Sequence, residues 1–311
     1  MYDKINMEIV DCYQCLSPNA KLLLKDSETH CTVVKCNVCG AYYTRKRLRE
    51  DDINHLYEKD ECYAERCVSS WSEEWLPSHY NELQEIEKLM SMKGRLLDIG
   101  CGGGAFVYAS RKKGWESYGI DLSETGINRG RQFWNLGENI IMCKNVYSMN
   151  SDKPFDVITT FHVFEHLYQP SKFINKIHDL LSDEGMLVVA VPNFGSIDVQ
   201  KDPLIKKSFM HLPYHVTHFT PNSLSMLLRN NGLEVIRRKF YPSEWIIKLI
   251  KPFVYPFKKR EIKSKEYSGE NDYPRITKFI NKNISSKKKI LNILSKISPG
   301  SYMVFYAKKS H

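Results

Sequence analysis

The stretch RLLDIGCGGGAFVYASRKKGWESYGIDLS, residues 95–123, limits the fold of this chain more than any other segment. An apolar run, RLLDIG, enters a turn dense in glycine. A helical run follows through about Lys113 and stops at Gly114, and SYGIDL then regains strand character. Strand, turn, helix and strand form a βαβ unit, which requires a parallel sheet covered by helices. The alternation continues downstream. NIIMCKN, FDVITTF and the fully apolar MLVVAVP read as strands. SETGINRGRQFWN reads as a helix weakened by Gly126 and Gly130, and SKFINKIHDLLSDEG as a helix capped by Ser171. TPNSLSMLLRNNG has Thr220 as N-cap, Pro221 at the first helical position and Gly232 past its end. LEVIRRKFY and SYMVFYAKK bring the count to seven strands. The expected fold class is therefore α/β, a doubly wound seven-stranded sheet. Ahead of it, NELQEIEKLMSMKG places Leu83, Ile86, Leu89 and Met90 at helical spacing, facing the sheet.

The N-terminal part follows a different logic. Cys12 and Cys15 form one CxxC and Cys36 and Cys39 a second, with 20 residues between the pairs. Two such knuckles bring four soft thiolates to one tetrahedral ion, and Zn2+ suits that chemistry. Four protein ligands leave no open position, so the zinc is expected to be structural. CTVVKCNVCGAYYTRKR reads as a hairpin of a small zinc ribbon, with Gly40 in a turn that needs positive φ. Cys31, Cys62 and Cys67 stand outside both knuckles. The first residues show no apolar secretory core, so metal binding is preferred to disulfides among the nine cysteines and a cytoplasmic location is expected. The expected organisation is a zinc-ribbon module over 1–48, a helical linker over 49–80 and the α/β domain over 81–311. A basic helical insertion occupies about 243–300.

Charge is unevenly spread. Residues 243–311 hold 16 Lys+Arg against 5 Asp+Glu, a surplus of 11 that leaves the other 242 residues at −2. WIIKLIKPFVYPFKKR mixes aromatic, apolar and lysine residues as an interfacial segment does, so peripheral membrane contact is one reading of the insertion; a lid over the cleft is the other. No apolar run reaches the roughly 18 residues a spanning helix needs.

The glycine turn fits two nucleotide patterns. Gly100, Gly102 and Ala105 satisfy GxGxxG/A of dinucleotide binders; Asp98, Gly100, Gly102 and Gly104 satisfy DxGxGxG of S-adenosylmethionine (SAM) binders. Asp121, closing the second strand, suits a ribose in either. Asp98 discriminates. An anion at the tip of the first strand suits a cationic methionyl ammonium and sulfonium, and repels a pyrophosphate.

LLDIGCGGG, YGIDLS, FDVITTFHVFEHLYQP and HFTPNSLSMLLRNNGLEVI, taken in order, resemble class I SAM-dependent methyltransferases with a Rossmann-like sheet, closest to the small-molecule group of ubiquinone-type O-methyltransferases. The cysteine knuckles are similar to the subset with an N-terminal zinc ribbon. The resemblance implies that Asp98, Gly100, Gly102 and Gly104 line the methionyl end of SAM, that Asp121 holds the ribose and that Leu122 flanks the adenine. Asn145 stands where an aspartate commonly meets the adenine amino group, and His162 follows the fourth strand beside the cofactor. For a small-molecule acceptor such as a sugar, polyketide or quinone, with O-methylation favoured, His166, His215 and His218 are the candidate bases. Glu165 pairs with His166, His211 shares the loop of the other two, and Asn193 either touches substrate or caps a turn. The alternatives are an RNA methyltransferase using the ribbon and basic tail, for which no aromatic platform is seen and no nucleic-acid partner is expected, and a non-catalytic SAM-binding partner protein.

Overall fold

A computed structural model describes residues 6–53, 73, 76–201, 203–242 and 299–310. Most of the expected linker, with Cys62 and Cys67, and the expected basic helices within 243–298 lie outside the described residues.

The N-terminal segment folds into a small antiparallel sheet of β1 (Met7–Ile9), β2 (Ala20–Lys25), β3 (Thr32–Cys36) and β4 (Tyr42–Leu48), in spatial order β1-β4-β3-β2. Gly40, at φ 76°, turns β3 into β4. The larger sheet is built from β5 (Arg95–Ile99), β6 (Glu116–Asp121), β7 (Ile141–Cys143), β8 (Phe155–Phe161) and β9 (Leu181–Pro192). Far along the chain, β11 (Leu233–Pro242) and β12 (Pro299–Lys309) complete it. Between β9 and β11 a two-residue strand, β10 (Thr217–His218), leaves the α/β layer and joins the small sheet.

The order of the large sheet is β11-β12-β9-β8-β5-β6-β7. β5 to β9 run parallel, while β12 inserts antiparallel between β9 and β11. Chain progress reverses between β5 and β8. Such a switch point opens a crevice beyond the carboxyl ends of the strands. Helices cover the sheet: α1 (Leu76–Glu87), α2 (Ala105–Lys112), α3 (Glu124–Trp134), α4 (Pro170–Leu180), α5 (Ile197–Lys201), α6 (Pro203–Met210) and α7 (Pro221–Asn230). Leu83 and Ile86 of α1 pack with Phe106, Val157 and Val188 on one face, while Ile158, Phe173, Ile174 and Val189 fill the other. Being buried on both faces is what makes MLVVAVP a continuous apolar run rather than an alternating one.

Three local expectations change. α4 is capped by Gln169, with Pro170 starting the helix and Ser171 already inside the first turn; proline fits the first helical position because its missing N–H has no partner there. β9 begins at Leu181, because Leu181 pairs with Phe155 before an irregularity shifts the ladder to Met186 opposite Val157. Gly130, read as a weak point of a helix, lies where a Cβ would fall 2.1 Å from the Gly103 carbonyl oxygen, so its missing side chain lets α3 close on the glycine turn. Thr220 meets its expectation, forming a reciprocal capping box with Ser223.

Candidate active site

The first wall of the crevice is the turn after β5. Gly100, Gly102 and Gly104 all take positive φ, a region that L side chains avoid. A Cβ on Gly100 would also stand 2.4 Å from Val163 Cγ2, so this turn and the segment after β8 approach to glycine distance. Asp98 is 2% exposed, and Thr159 Oγ1 donates to its Oδ1 at 2.7 Å. Burial pushes the Asp98 carboxyl up to about 7; the Thr159 bond opposes this and the charge of Asp121 adds to it. Asp121 ends β6, accepting from Gly102 N–H at Oδ2 and from Ser123 N–H at Oδ1, both at 2.8 Å. Burial raises this carboxyl too, against the N–H groups of Ser123, Gly102 and Leu122. Each Asp121 oxygen keeps a second lone pair, so the group can still accept from hydroxyls. The next residue, Leu122, is 66% exposed, an apolar side chain presented beside the crevice mouth. Asn145 is exposed and its Oδ1 accepts from Tyr147 N–H, capping the 3-10 turn Val146–Ser148.

The second wall is built from distant segments. β8 ends at Phe161; the next residue, His162, has φ 58°, and a 3-10 turn, Phe164–His166, follows. His162 Nδ1 stands 3.2 Å from Glu165 Oε1. Glu165 is 2% exposed, and its other oxygen, Oε2, is buried with no hydrogen-bond partner. His166 Nδ1 donates to the Tyr214 carbonyl at 3.1 Å, and its ring meets that of His215 edge-on at 4.8 Å. His215 Nδ1 donates to the Phe209 carbonyl at 3.1 Å, and burial, then the neighbouring His166, His211 and His218, hold the ring well below the usual histidine range. Glu165, His215 and His218 join Phe194, Phe209 and Phe219 in lining one cleft.

His218 has a different situation. It is 3% exposed, its Nε2 lies 3.1 Å from Thr44 Oγ1, and burial pushes its pKa down to about 3. The single Thr44 hydroxyl proton goes to the His215 carbonyl at 3.0 Å. His218 Nε2–H is therefore the donor to Thr44, and that nitrogen offers no lone pair to a substrate. His218 sits in the seam between the sheets, where Thr217 and His218 pair with Tyr43 and Tyr42 of β4. Asn193 resolves to the turn: its Oδ1 accepts from Gly195 N–H and its Nδ2 donates to the Gly300 carbonyl. Cys101 is buried inside the glycine turn, packed against Gly119.

Residues 78–238 match the family described as Methyltransferase domain, more than half of the chain. The chain belongs to this methyltransferase family. Among curated proteins it is similar to a ubiquinone biosynthesis O-methyltransferase of Ruegeria pomeroyi, 30% identical over 162 residues, which are 49% of this chain and 65% of the relative. A second protein of that name, from a Caulobacter species, is 32% identical over 104 residues, covering 32% of this chain and 41% of the relative. The chain thus spans less than two thirds of the length of either. Among solved structures, the 1,6-didemethyltoxoflavin-N1-methyltransferase of Burkholderia thailandensis, with bound 1,6-didemethyltoxoflavin and S-adenosylhomocysteine, aligns at a TM-score of 0.52 and 14% identity. That alignment covers 94% of this chain and 100% of the other, and it places the fold among class I methyltransferases.

The cysteine lobe lies outside the matched methyltransferase segment. Its four sulfurs, of Cys12, Cys15, Cys36 and Cys39, all lie within 4.8 Å of one another, with Cys12–Cys39 and Cys15–Cys36 at 3.5 Å. A tetrahedral ion with bonds of about 2.3 Å has sulfur–sulfur edges of about 3.8 Å, so the set fits one zinc ion. Burial pushes the Cys36 thiol up, yet N–H groups of Cys39 and Val38 and the adjoining thiols outweigh it and bring it down to about 7. Cys31 is buried apart from this set.

Three site residues escaped the sequence. Thr159 was traceable through strand alternation, since β8 pairs it with Asp98. Tyr214 holds the His166 ring through a backbone carbonyl, which no side-chain pattern announces. Thr44 meets His218 across 174 positions of sequence, and no local signal reports such a pairing.

Proposed function

We propose that this chain transfers a methyl group from SAM to a hydroxyl of a small ring-bearing acceptor. The observation that carries this reading is the pair of buried carboxylates, Asp98 and Asp121, flanking a positive-φ glycine turn at the switch point of the sheet. Two acids in a dry crevice suit a ligand with cationic and hydroxyl groups, and they disfavour a diphosphate. Asp98 would face the methionyl ammonium and sulfonium, with the backbone of Gly100, Gly102 and Gly104 allowing close approach. Asp121 would accept from the ribose hydroxyls, Leu122 would cover one face of the adenine and Asn145 Nδ2 would stand near its edge. His162, just past β8, would close the crevice. Bound there, SAM supplies a methyl carbon already activated by its sulfonium. The chain's residues must then align the acceptor and exclude water.

Phenylalanines line the narrow cleft together with Glu165 and histidines, and an acceptor of mixed character would suit that lining once the cleft opens. The similarity to ubiquinone-pathway O-methyltransferases supports oxygen as the methylated atom. His215 of the cleft lining and His166, whose ring meets it, are assigned to the acceptor hydroxyl, whereas His218 is assigned to the seam. The cysteine set is assigned to structural Zn2+.

Calorimetry on the purified chain tests the core of this reading. Tight uptake of S-adenosylhomocysteine, with no uptake of NAD, is expected; NAD binding with no S-adenosylhomocysteine binding overturns it. Incubating SAM with panels of phenols, quinols and sugars then reads turnover. Bound SAM with no S-adenosylhomocysteine formed from any of them would favour a non-catalytic SAM-binding protein.

A further inference from the structure

At the cleft, Glu165 and His215 of its lining meet His166 in a group that methyl transfer alone does not require. A carboxylate oxygen of Glu165 and one ring nitrogen each of His166 and His215 lie within 4.8 Å of one another. Donors about 2.05 Å from a tetrahedral ion stand about 3.3 Å apart, so an ion would draw the three donors together by at most about 1.5 Å. We propose that Glu165, His166 and His215 form a second metal site, distinct from the cysteine set, for a divalent transition cation that takes nitrogen and oxygen ligands.

Two observations point there. First, Glu165 Oε2 is buried and has no hydrogen-bond partner, although Oε1 of the same carboxylate is engaged by His162. Buried polar atoms are nearly always satisfied, so an orphaned carboxylate oxygen in a cleft signals a missing partner, and a cation is the partner that suits an anion. Second, both imidazoles give one nitrogen to a backbone carbonyl. A backbone carbonyl only accepts, so the contacts of His166 Nδ1 with Tyr214 and of His215 Nδ1 with Phe209 fix the proton on Nδ1 in each neutral ring. The lone pair then belongs to Nε2. Metal-bound histidines characteristically use one nitrogen for the ion and give the other N–H to a carbonyl or carboxylate.

Two histidines and one carboxylate leave coordination positions open, unlike the four cysteines. The ligand class that follows is an acceptor carrying a hydroxyl, or two adjacent oxygens, able to enter those positions. A hydroxyl so bound would release its proton to water near neutral pH, because the cation stabilises the oxyanion. This role rests on the methyl-transfer reading; the site itself does not.

Cobalt(II) titration of the full chain, after chelator stripping, tests the site. Two cobalt ions per chain are expected, one with an intense thiolate charge-transfer band and one with only the weaker bands of nitrogen and oxygen ligands. Glu165→Gln and His215→Ala should each abolish the second class and keep the first. Cys36→Ser should abolish the thiolate class. A wild-type chain that takes up one cobalt, with the thiolate signature alone, overturns the proposal, whatever the variants do. So does a second class that survives in the Glu165→Gln/His215→Ala double variant. S-adenosylhomocysteine affinity, measured in parallel, reports on the fold of each variant. Its absence in the wild type would count against methyl transfer and leave the cobalt result standing.

Discussion

The two walls of the crevice are made in opposite ways. The Asp98–Asp121 wall comes from one continuous piece of chain, β5 to β6: turn N–H groups hold Asp121, and the one partner from outside that piece is the threonine of neighbouring β8 on Asp98. The Glu165–His215 wall is assembled from the end of β8, the segment before β10 and, behind them, β4 of the cysteine lobe. Val216 N–H donates to the Glu165 carbonyl, and Thr44 N–H donates to the Val216 carbonyl. One wall therefore holds itself in shape, while the other is braced by a separate small sheet. A scaffold of this kind can keep one wall constant while the other is reshaped by whatever is packed behind it.

On the zinc proposed for the cysteine set, stripping that metal should separate the walls most sharply. A structural zinc set contributes on the order of 10 kcal/mol to its own folding, so chelation should abolish hydrogen-exchange protection of β3 and β4. Acceptor turnover should fall at least 100-fold while S-adenosylhomocysteine affinity changes less than about threefold. Equal loss of both would mean that the walls are not independent. Next in size, Asp121→Ala should weaken S-adenosylhomocysteine binding by about 10–100-fold, since bonds to a charged group contribute about 1.5–3 kcal/mol, and it should leave cobalt uptake at the Glu165 site unaltered. Calorimetry reads the first and absorbance the second.

A pH effect of about tenfold per unit should appear below neutrality. Asp98, raised to about 7 by burial, holds a proton at lower pH. A sulfonium or ammonium ligand favours the ionised form, so SAM affinity should climb with pH up to about 7 and then level. The same shift means that the ligand-free fold loses the Asp98 contribution as pH rises from about 4 to about 7, because ionisation costs more in the crevice than in the unfolded chain. Asp98→Asn should flatten the affinity profile, and a flat profile in the wild type would show that the carboxyl does not meet the cation. The smallest effect belongs to Thr44→Val. Losing its hydrogen bonds to the His215 carbonyl and to His218 should cost about 1–3 kcal/mol of stability. KM for the acceptor should rise several-fold while SAM affinity holds, as steady-state kinetics would show.

The same contrast explains what could be read from the sequence. Asp98, the glycines and Asp121 were legible because one βαβ unit carries them and its turn demands residues of known conformation. The seven strands were legible through their apolar runs, and the cysteine knuckles through their spacing. The brace was not. β10 is two residues long, too short for any periodicity, and Thr44, Thr217 and His218 acquire their roles only when β4 and β10 pair. His218 was a candidate base because it shares the loop of His211 and His215; burial and its hydrogen bond to Thr44 hold it in the seam. Glu165 was visible beside His166, but its orphaned oxygen depends on how the cleft packs. Gly130 misled for a related reason: helix propensity counts the cost of glycine locally, whereas its benefit here is a close approach to Gly103.

The seam between β4 and β10 also bears on how this molecule can be divided. Val33 of the lobe packs with Phe194, Val199 and Met210, and Leu48 packs with Tyr168 and Val216, so apolar side chains interleave across the line where the family match begins. A fragment starting at residue 78 would strip the cover from these side chains and unpair the edge of β10, presenting a greasy, hydrogen-bond-hungry surface to solvent. Such a fragment is expected to self-associate on expression, and co-expressing the first 53 residues as a separate chain should restore it to solution.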